Sequence, residues 1–193
     1  MKKIIFFIFI VFILSSTSFA ADLKVYFSPK GGCQETVISQ IKKAQRTIDI
    51  AMYDFTSGAI AQELIKARGR NVLIRIVLDK SQAIQYSSKA KYLTKNHFGI
   101  RYHNGHGLMH NKFAIIDGRV LITGSFNWTM MADQRNEENL LVITDAGLIK
   151  EYQKRFEYLY RSSTKKESVL KNSTTTYPKN DYNSHNYSVR FFR

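Results

Sequence analysis

Between residues 24 and 78 the chain alternates between short apolar runs and segments with helical periodicity. The runs at 24–28, 47–53 and 71–78 are rich in branched and aromatic residues, which favours β-strands. Between them, apolar residues recur at helical spacing over 34–45 and 59–67. Strand–helix–strand units connect by right-handed crossovers that set successive strands parallel in one sheet. The sequence therefore predicts the α/β class, with a mixed, mainly parallel β-sheet flanked by helices on both faces.

The rest of the chain extends this pattern with two helices and four strands. In order, we expect a polar helix at 81–95, strands at 99–103, 112–116, 120–123 and 140–144, and an amphipathic helix at 147–160. Asp117 and Gly118 separate the second and third of these strands, and an Asp-Gly pair favours a tight hairpin turn. These elements belong to a single domain at 21–161.

Both ends of the chain differ in composition from this domain. Residues 1–20 begin with Lys2 and Lys3, continue with an apolar run at 4–14, and end in small residues up to Ala20. This is the pattern of a secretory signal peptide cleaved after Ala20, and it predicts a secreted or periplasmic protein. The alternative is an uncleaved anchor, but the apolar run is shorter than the roughly 20 residues that span a bilayer. Residues 162–193 are polar and basic, so we expect a flexible tail.

The chain is strongly basic and has one cysteine. Its 29 lysines and arginines against 15 acidic residues give a net charge of +14, or +12 once Lys2 and Lys3 leave with the signal peptide. Such an excess favours a polyanionic partner, nucleic acid or anionic lipid, although it also serves solubility. Cys33 has no second cysteine to pair with in its own chain. It is either a buried apolar residue or a bridge between two chains.

Two pairs of polar residues interrupt the apolar runs of the second half. His110 and Lys112 lie two positions apart where a strand begins, so both side chains project from one face. Two cations on one face repel each other and lose solvation unless an anion binds there, and phosphate is the obvious anion. Ser125 and Asn127, also two apart, would add hydroxyl and amide donors at the end of the next strand.

The whole motif reads His110-x-Lys112-x4-Asp117-x6-Gly124-Ser125-x-Asn127, followed by Glu138-Asn139. It resembles the signature of the phospholipase D superfamily, and most closely that of its short, exported bacterial endonucleases with one motif per chain. The resemblance extends from about residue 24 to 161, including the Tyr53-Asp54-Phe55-Thr56 segment after the second strand.

The resemblance implies a two-step phosphodiesterase reaction without metal or other cofactor. One histidine attacks phosphorus to form a phosphohistidine, and a second histidine protonates the leaving oxygen and then activates water. Because the chain carries one motif, a homodimer is implied in which two copies of His110 meet across a two-fold axis. The substrate would be DNA or RNA, cleaved with little sequence preference.

Asp117 and Glu138 take different roles. Asp117 lies an odd number of residues from His110 and begins the hairpin turn, so we expect it to support the site rather than enter the chemistry. Glu138 matches the family's downstream carboxylate, which would hydrogen-bond the far nitrogen of His110 and orient the ring. The neighbouring Glu137 is expected to be solvated.

Other functions compete with the nuclease interpretation. A phospholipase D acting on lipid headgroups would use the same catalytic residues, and would bring a membrane lipid as partner. A nucleic-acid-binding protein without catalysis ranks last because every motif residue is present. His103, His106 and His110 could suggest zinc, but the intervening glycines and the lack of a further ligand argue against a metal site. That loop is instead expected to form a rim of the cleft.

Overall fold

The computed structural model describes residues 21–103 and 105–165, which form eight strands and six helices. The predicted signal peptide and tail residues 166–193 lie outside the described residues. In chain order the elements are β1 Leu23–Ser28, α1 Cys33–Lys43, β2 Thr47–Met52, α2 Gly58–Gly69, β3 Leu73–Asp79, α3 Lys80–Ala83, α4 Ala90–Lys95, β4 Ile100–His103, β5 Lys112–Ile116, β6 Val120–Gly124, α5 Met130–Gln134, β7 Glu138–Ile143, α6 Ala146–Ser162 and β8 Thr164–Lys165. Regular structure therefore continues four residues past the predicted domain end at 161.

All strands of the described residues join one sheet in the order β1-β7-β6-β5-β2-β3-β4-β8. The α/β class and the mixed sheet are confirmed, but the expectation of mainly parallel pairing is wrong. Only β2–β3 and β3–β4 pair in parallel, while the remaining neighbours are antiparallel. The first crossover does set β1 in the same direction as β2, but β7, β6 and β5 lie between them. Sequence order alone predicts that β1 and β2 are adjacent and parallel. In the structure, the β5–β6 hairpin and β7 lie between them.

Apolar side chains cover both faces of the sheet. On one face, α1 and α2 pack through Val37, Ile41 and Leu64 against alternate strand residues such as Ala114. On the other face, α6 packs its own apolar residues against the intervening strand residues. The members of this second core include Ala51, Val77, Phe113, Ile115, Leu121, Ile149, Phe156 and Leu159. The strict alternation along β5 explains why an entirely buried strand can serve two cores.

A charged cluster attaches α6 to the sheet within the second core. Arg75 of β3 donates two hydrogen bonds to Asp49 of β2, at 2.7 and 2.6 Å, and one to Glu157 of α6 at 2.7 Å. Asp49 is only 5% exposed, and Gln153 donates a further bond to it at 2.8 Å. The carboxylate partners raise the pKa of Arg75, which therefore stays charged.

The region predicted as one polar helix at 81–95 contains two short helices instead, so that prediction is wrong. Asp79 caps α3 by accepting hydrogen bonds from the backbone of Ser81 and Gln82. The chain then leaves the helix, and the backbone of Lys89 bonds to Phe55 after β2 at 2.9 Å before α4 begins. A tertiary bond to another loop therefore divides the segment. Helix α5, also absent from the prediction, is too short to show a periodicity.

Cys33 lies at the start of α1 and is fully buried. Burial, followed by the nearby carboxylate of Asp133, raises the pKa of its thiol to about 11. A thiol without exposed surface cannot reach another chain, so the bridging alternative is wrong and the buried apolar interpretation stands. Among the helices of the described residues, none has the length and apolar character needed to cross a bilayer.

Candidate active site at one edge of the sheet

The predicted site residues, apart from Asp117, come together because several strands end or begin at the same edge of the sheet. Lys112 at the start of β5 pairs with Met52 at the end of β2. Gly124 at the end of β6 pairs with Leu140, two residues into β7. The His110–Lys112 segment, the loop carrying Ser125 and Asn127, and Glu138 therefore adjoin one another.

His110 is exposed at this edge, whereas Lys112 is held beneath it. The His110 ring packs on Tyr53 with a centroid separation of 4.4 Å. The Lys112 ammonium donates a hydrogen bond to the backbone oxygen of His110 at 2.9 Å and lies 4.9 Å from the Tyr53 ring centre. Tyr53 thus orients the imidazole and contacts the cation at once. An anion that approaches His110 from solvent meets an exposed imidazole backed by a fixed positive charge.

The Lys112 ammonium is unusually desolvated, since the residue is only 9% exposed. Burial lowers its pKa, and the carboxylates of Glu138 and Asp54 oppose that effect. The same burial raises the pKa of Asp54, while the charge of Lys112 acts in the opposite direction. Lys112, Asp54 and Glu138 thus form a partly buried charged cluster. Because charges interact more strongly away from water, an anion bound there would be attracted strongly by the Lys112 ammonium.

The loop after β6 depends on close contact with β7. Gly124 has φ +146°, and a Cβ there would lie 2.2 Å from the backbone oxygen of Asn139. The backbone of Ser125 donates to Asn139, whose own N–H donates to the Ser125 hydroxyl at 3.0 Å. Because this hydroxyl accepts a bond, its hydrogen remains available to donate outward. Only glycine permits this approach, which presents Ser125 on the exposed edge.

Asn127 has a buried side-chain oxygen, Oδ1, that lacks a hydrogen-bond partner among the described residues. Buried polar groups in folded proteins are nearly always paired, so the unpaired Oδ1 favours a partner from outside the described residues, such as a ligand or a second chain. Because Oδ1 is an acceptor, the partner that completes it must be a donor, and the side-chain amide Nδ2 is the group of Asn127 that can donate to a phosphate.

Glu138 is half-buried near Lys112, and its Oε1 accepts a hydrogen bond from Asn136 at 3.1 Å. Its electrostatic effect on Lys112 places it in the site, but no hydrogen bond joins it to His110 among the described residues. Its role in orienting His110 stays a prediction. Glu137 is exposed, in agreement with the expectation of a solvated side chain.

Asp117 lies at the opposite end of β5, in the hairpin turn. Its carboxylate accepts hydrogen bonds from the backbone N–H groups of Gln45, Arg46 and Thr47 at 3.0, 2.7 and 2.9 Å. Burial alone would raise its pKa, but these bonds and the charge of Arg46 outweigh that effect and lower it. The expected position in the turn is confirmed, and Asp117 ties the hairpin to the loop before β2.

Sequence reasoning did not select Tyr53 or Asp54 as site residues. Both follow β2 directly, and polar residues at the end of a buried strand were the sequence signal that could have indicated a place in the site. Only the pairing of β2 with β5 shows that this end adjoins Lys112. Over the described residues, no group of three or more histidine, cysteine or acidic side chains is arranged to hold a metal ion.

Comparison with known proteins assigns this arrangement to a family. Residues 37–160 match the family model described as "Cardiolipin synthase, PLD-like domain", where PLD stands for phospholipase D. The chain belongs to this phospholipase D-like family.

Curated relatives carry lipid-related names. The chain is 36% identical over 124 residues to the mitochondrial cardiolipin hydrolase of Xenopus laevis, covering 64% of this chain and 59% of that protein. It is 37% identical over 132 residues to the phospholipase D of Rickettsia prowazekii, covering 68% and 64%. The match thus spans less than two thirds of the length of these relatives.

Similar solved structures include a phospholipase D family member, Nuc from Salmonella typhimurium, with a TM-score of 0.71 and 28% identity, covering 75% of this chain and 97% of that one. NucT from Helicobacter pylori has the same TM-score at 25% identity, covering 75% and 99%. The fold of the described residues therefore accounts for nearly all of both structures.

Proposed function

We propose that this protein is an exported, metal-independent phosphodiesterase that hydrolyses the backbone of DNA or RNA through a phosphohistidine on His110. The observation that carries the proposal is that the exposed His110 imidazole and the buried Lys112 ammonium both contact the Tyr53 ring, while the ammonium also bonds to the backbone oxygen of His110. A nucleophile and a fixed cation then face the same incoming phosphate, as phosphoryl transfer requires.

In the first step a nitrogen of His110 forms a bond to phosphorus, and the bond from phosphorus to the leaving oxygen breaks. His110 of a second copy donates a proton to that oxygen. In the second step His110 of the second copy takes a proton from water. The water oxygen attacks phosphorus, and the bond between phosphorus and the first His110 breaks. Lys112, Ser125 and Asn127 stabilise the charge that develops on the non-bridging oxygens. The arrangement requires a homodimer, since one chain supplies one His110.

Nucleic acid is the proposed substrate because charge favours a polyanion. The net charge, +14 for the full sequence and +12 without Lys2 and Lys3, attracts a phosphate backbone irrespective of its sequence, and multiple lysine and arginine contacts dominate non-specific binding to nucleic acid. Export would direct the activity to nucleic acid outside the cytoplasm.

Hydrolysis of phospholipid headgroups is the second candidate. It is favoured by the names of the relatives, a cardiolipin hydrolase and a phospholipase D. In addition, Met130 and Met131 are 65% and 52% exposed just after the loop that carries Asn127, where they could contact lipid. A nucleic-acid-binding protein without catalysis is the third candidate.

The test compares substrates and a matched pair of variants. Purified protein is incubated with plasmid DNA, RNA, and vesicles of phosphatidylcholine or cardiolipin, each with and without chelator. We expect cleavage of nucleic acid that survives chelator. His110→Asn should reduce the rate at least about a thousandfold, because it removes the nucleophile.

His97→Asn is the control, since it changes an exposed histidine before β4, at the opposite edge of the sheet, and asparagine tolerates its positive φ of 63°. It should retain full activity. If the protein hydrolyses the vesicle lipids but leaves DNA and RNA intact, the phospholipase proposal replaces the nuclease proposal. Loss of activity with chelator would contradict the metal-free mechanism, and binding without turnover would favour the third candidate.

A further inference from the structure

A cavity of about 360 Å³ opens at the same edge of the sheet as His110 but on the side of β3 and β4. We call it the His103 cavity. Its lining includes Asp79, Lys80, Ile84, Gln85, His103 and Leu108. None of these residues belongs to the phospholipase D-like motif, so the proposed reaction leaves the cavity without a role.

Two contacts connect the His103 cavity to the catalytic centre. Asp79 accepts a hydrogen bond from the backbone of Met109, the residue before His110, at 2.9 Å. Gln82 donates to the hydroxyl of Tyr53 at 3.1 Å, and the Tyr53 ring contacts His110. Because only β2 separates β5 from β3, the two sites are about two strand spacings apart, roughly 10 Å. A molecule with its phosphate at His110 can therefore extend into the cavity.

The lining combines an unpaired polar atom with apolar walls. Nδ1 of His103 is buried and has no hydrogen-bond partner among the described residues. His103 also lines the cavity, so the part of its imidazole that faces the cavity can hydrogen-bond a ligand that brings a donor or acceptor. Ile84 and Leu108 are 50% and 59% exposed and offer apolar surface beside it. The combination suits a ligand with apolar faces and a polar edge.

We propose that the His103 cavity binds a nucleobase next to the phosphate that His110 attacks. This inference rests on the proposed nuclease function. A nucleobase presents apolar faces to Ile84 and Leu108 and a hydrogen-bonding edge to His103 and Gln85. The wall carries both Asp79 and Lys80, so its charge does not single out a second phosphate, and the polar groups disfavour an acyl chain. Since a base must leave its stack to enter, the cavity selects single-stranded substrate.

The test measures binding of fluorescent oligonucleotides to the cleavage-deficient His110→Asn protein by anisotropy. One probe is a single-stranded oligonucleotide, and the other has the same length and backbone but tetrahydrofuran units in place of every base. We expect the first probe to bind about tenfold more tightly. Adding His103→Leu or Gln85→Ala should reduce that difference to about twofold or less, because each removes a polar partner of the base.

Gln62→Ala, an exposed glutamine of α2, is the matched control and should preserve the tenfold difference. Circular dichroism establishes that each variant is folded, and Gln85 is exposed enough to be replaced without disturbing the core. Equal binding of both probes, with DNA still cleaved by the unmodified protein, would overturn the cavity proposal and leave the nuclease intact. Equal loss of affinity for both probes in His103→Leu would also overturn it. An unmodified protein that hydrolyses only vesicles would refute the proposed function and this inference together.

Discussion

At the residue scale, Lys112 shows how burial and charge combine in this site. Its ammonium is largely removed from water, contacts the Tyr53 ring, and has the carboxylates of Glu138 and Asp54 nearby. Burial lowers the pKa of Lys112, while the two carboxylates limit that fall. The residue should therefore lose its proton at a lower pH than a free lysine, and the proposed catalysis needs the protonated form.

Replacement of Glu138 by glutamine should move the alkaline limb of the kcat/KM profile to lower pH. The change removes a negative charge that favours the protonated form of Lys112, so its pKa falls further. The measurement is kcat/KM against pH on a nucleic acid substrate. Glu137→Gln, the exposed neighbour, serves as the control and should leave the limb in place. A shift to higher pH in Glu138→Gln would contradict this account of Lys112.

Asp117 is expected to contribute to stability through its bonds to the backbone before β2. Asp117→Ala should lower the free energy of unfolding by about 2 kcal/mol, because it leaves three backbone N–H groups without their acceptor and places alanine at φ 53°. Asp117→Asn should cost less, since it keeps one acceptor and tolerates the backbone angle. Urea unfolding measures both, with the exposed Asp22→Asn as a control expected near zero.

The pH dependence of this effect has a definite sign. The folded-state pKa of Asp117 is lowered, so its stabilising effect is complete above the ordinary carboxyl pKa and is lost as pH falls through the folded-state value. The stability difference between the unmodified protein and Asp117→Asn should therefore narrow on acidification. A difference that widens would show that the carboxylate is not stabilised by these bonds.

At the scale of elements, α6 is held to the sheet by charge as well as by apolar packing. The Arg75 guanidinium bonds to Asp49 and Glu157 and lies over the rings of Phe156 and Tyr160, at 4.9 and 5.2 Å. Asp49 is buried, so its charge depends on Arg75 for compensation. The cluster thereby sets the position of a helix that covers the central strands.

Arg75→Met should lower the free energy of unfolding by about 3 kcal/mol, since it leaves the buried Asp49 carboxylate without its cation. The double variant Arg75→Met/Asp49→Leu should regain much of this loss, because no buried charge remains unpaired. Urea unfolding again gives the values. Arg155→Met, which changes an exposed arginine of α6, should alter stability by less than about 0.5 kcal/mol. Strictly additive effects at Arg75 and Asp49 would disprove the coupling.

At the scale of the whole molecule, the proposed reaction needs two copies of one chain. The unpaired Oδ1 of Asn127 and the single His110 are both consistent with a site that a second chain completes. A two-fold axis near His110 would bring identical residues together, since an isologous interface duplicates any residue close to the axis.

Mixing with the inactive His110→Asn protein should suppress the activity of unmodified chains. After subunit exchange with a ninefold excess of His110→Asn, random pairing leaves only about a tenth of the unmodified chains paired with each other. We therefore expect roughly a tenfold loss of activity per unmodified chain. Two controls use the same ninefold excess. The His97→Asn/His110→Ala protein should suppress activity to the same extent, and an unrelated basic protein should leave activity unchanged. Unchanged activity, or an active monomer in sedimentation, would refute the shared site.

Local patterns in the chain were sufficient for several features. The spacing of His110 and Lys112 predicted that the two lie close together, and both contact the Tyr53 ring. The Asp-Gly pair predicted a turn, in which Asp117 and Gly118 both have positive φ, 53° and 65°. The helix predicted at 59–67 is α2, which the Ser57 hydroxyl caps by accepting a bond from the Ile60 N–H. Each of these depends on interactions within a few residues, which sequence patterns record directly.

The sequence by itself determined the α/β class, the two apolar faces of the sheet and the identity of the motif residues, because periodicity and spacing depend on local geometry. Only the tertiary structure decided that β5, β6 and β7 lie between β1 and β2, that the segment after β3 forms two helices, and that Tyr53 and Asp54 adjoin Lys112. Strand order and the approach of separate loops depend on packing between distant residues, for which no local spacing provides a record. The site is therefore recognisable in the sequence as a set of residues. The His103 cavity and the charged surroundings of Lys112 arise from how the strands are assembled.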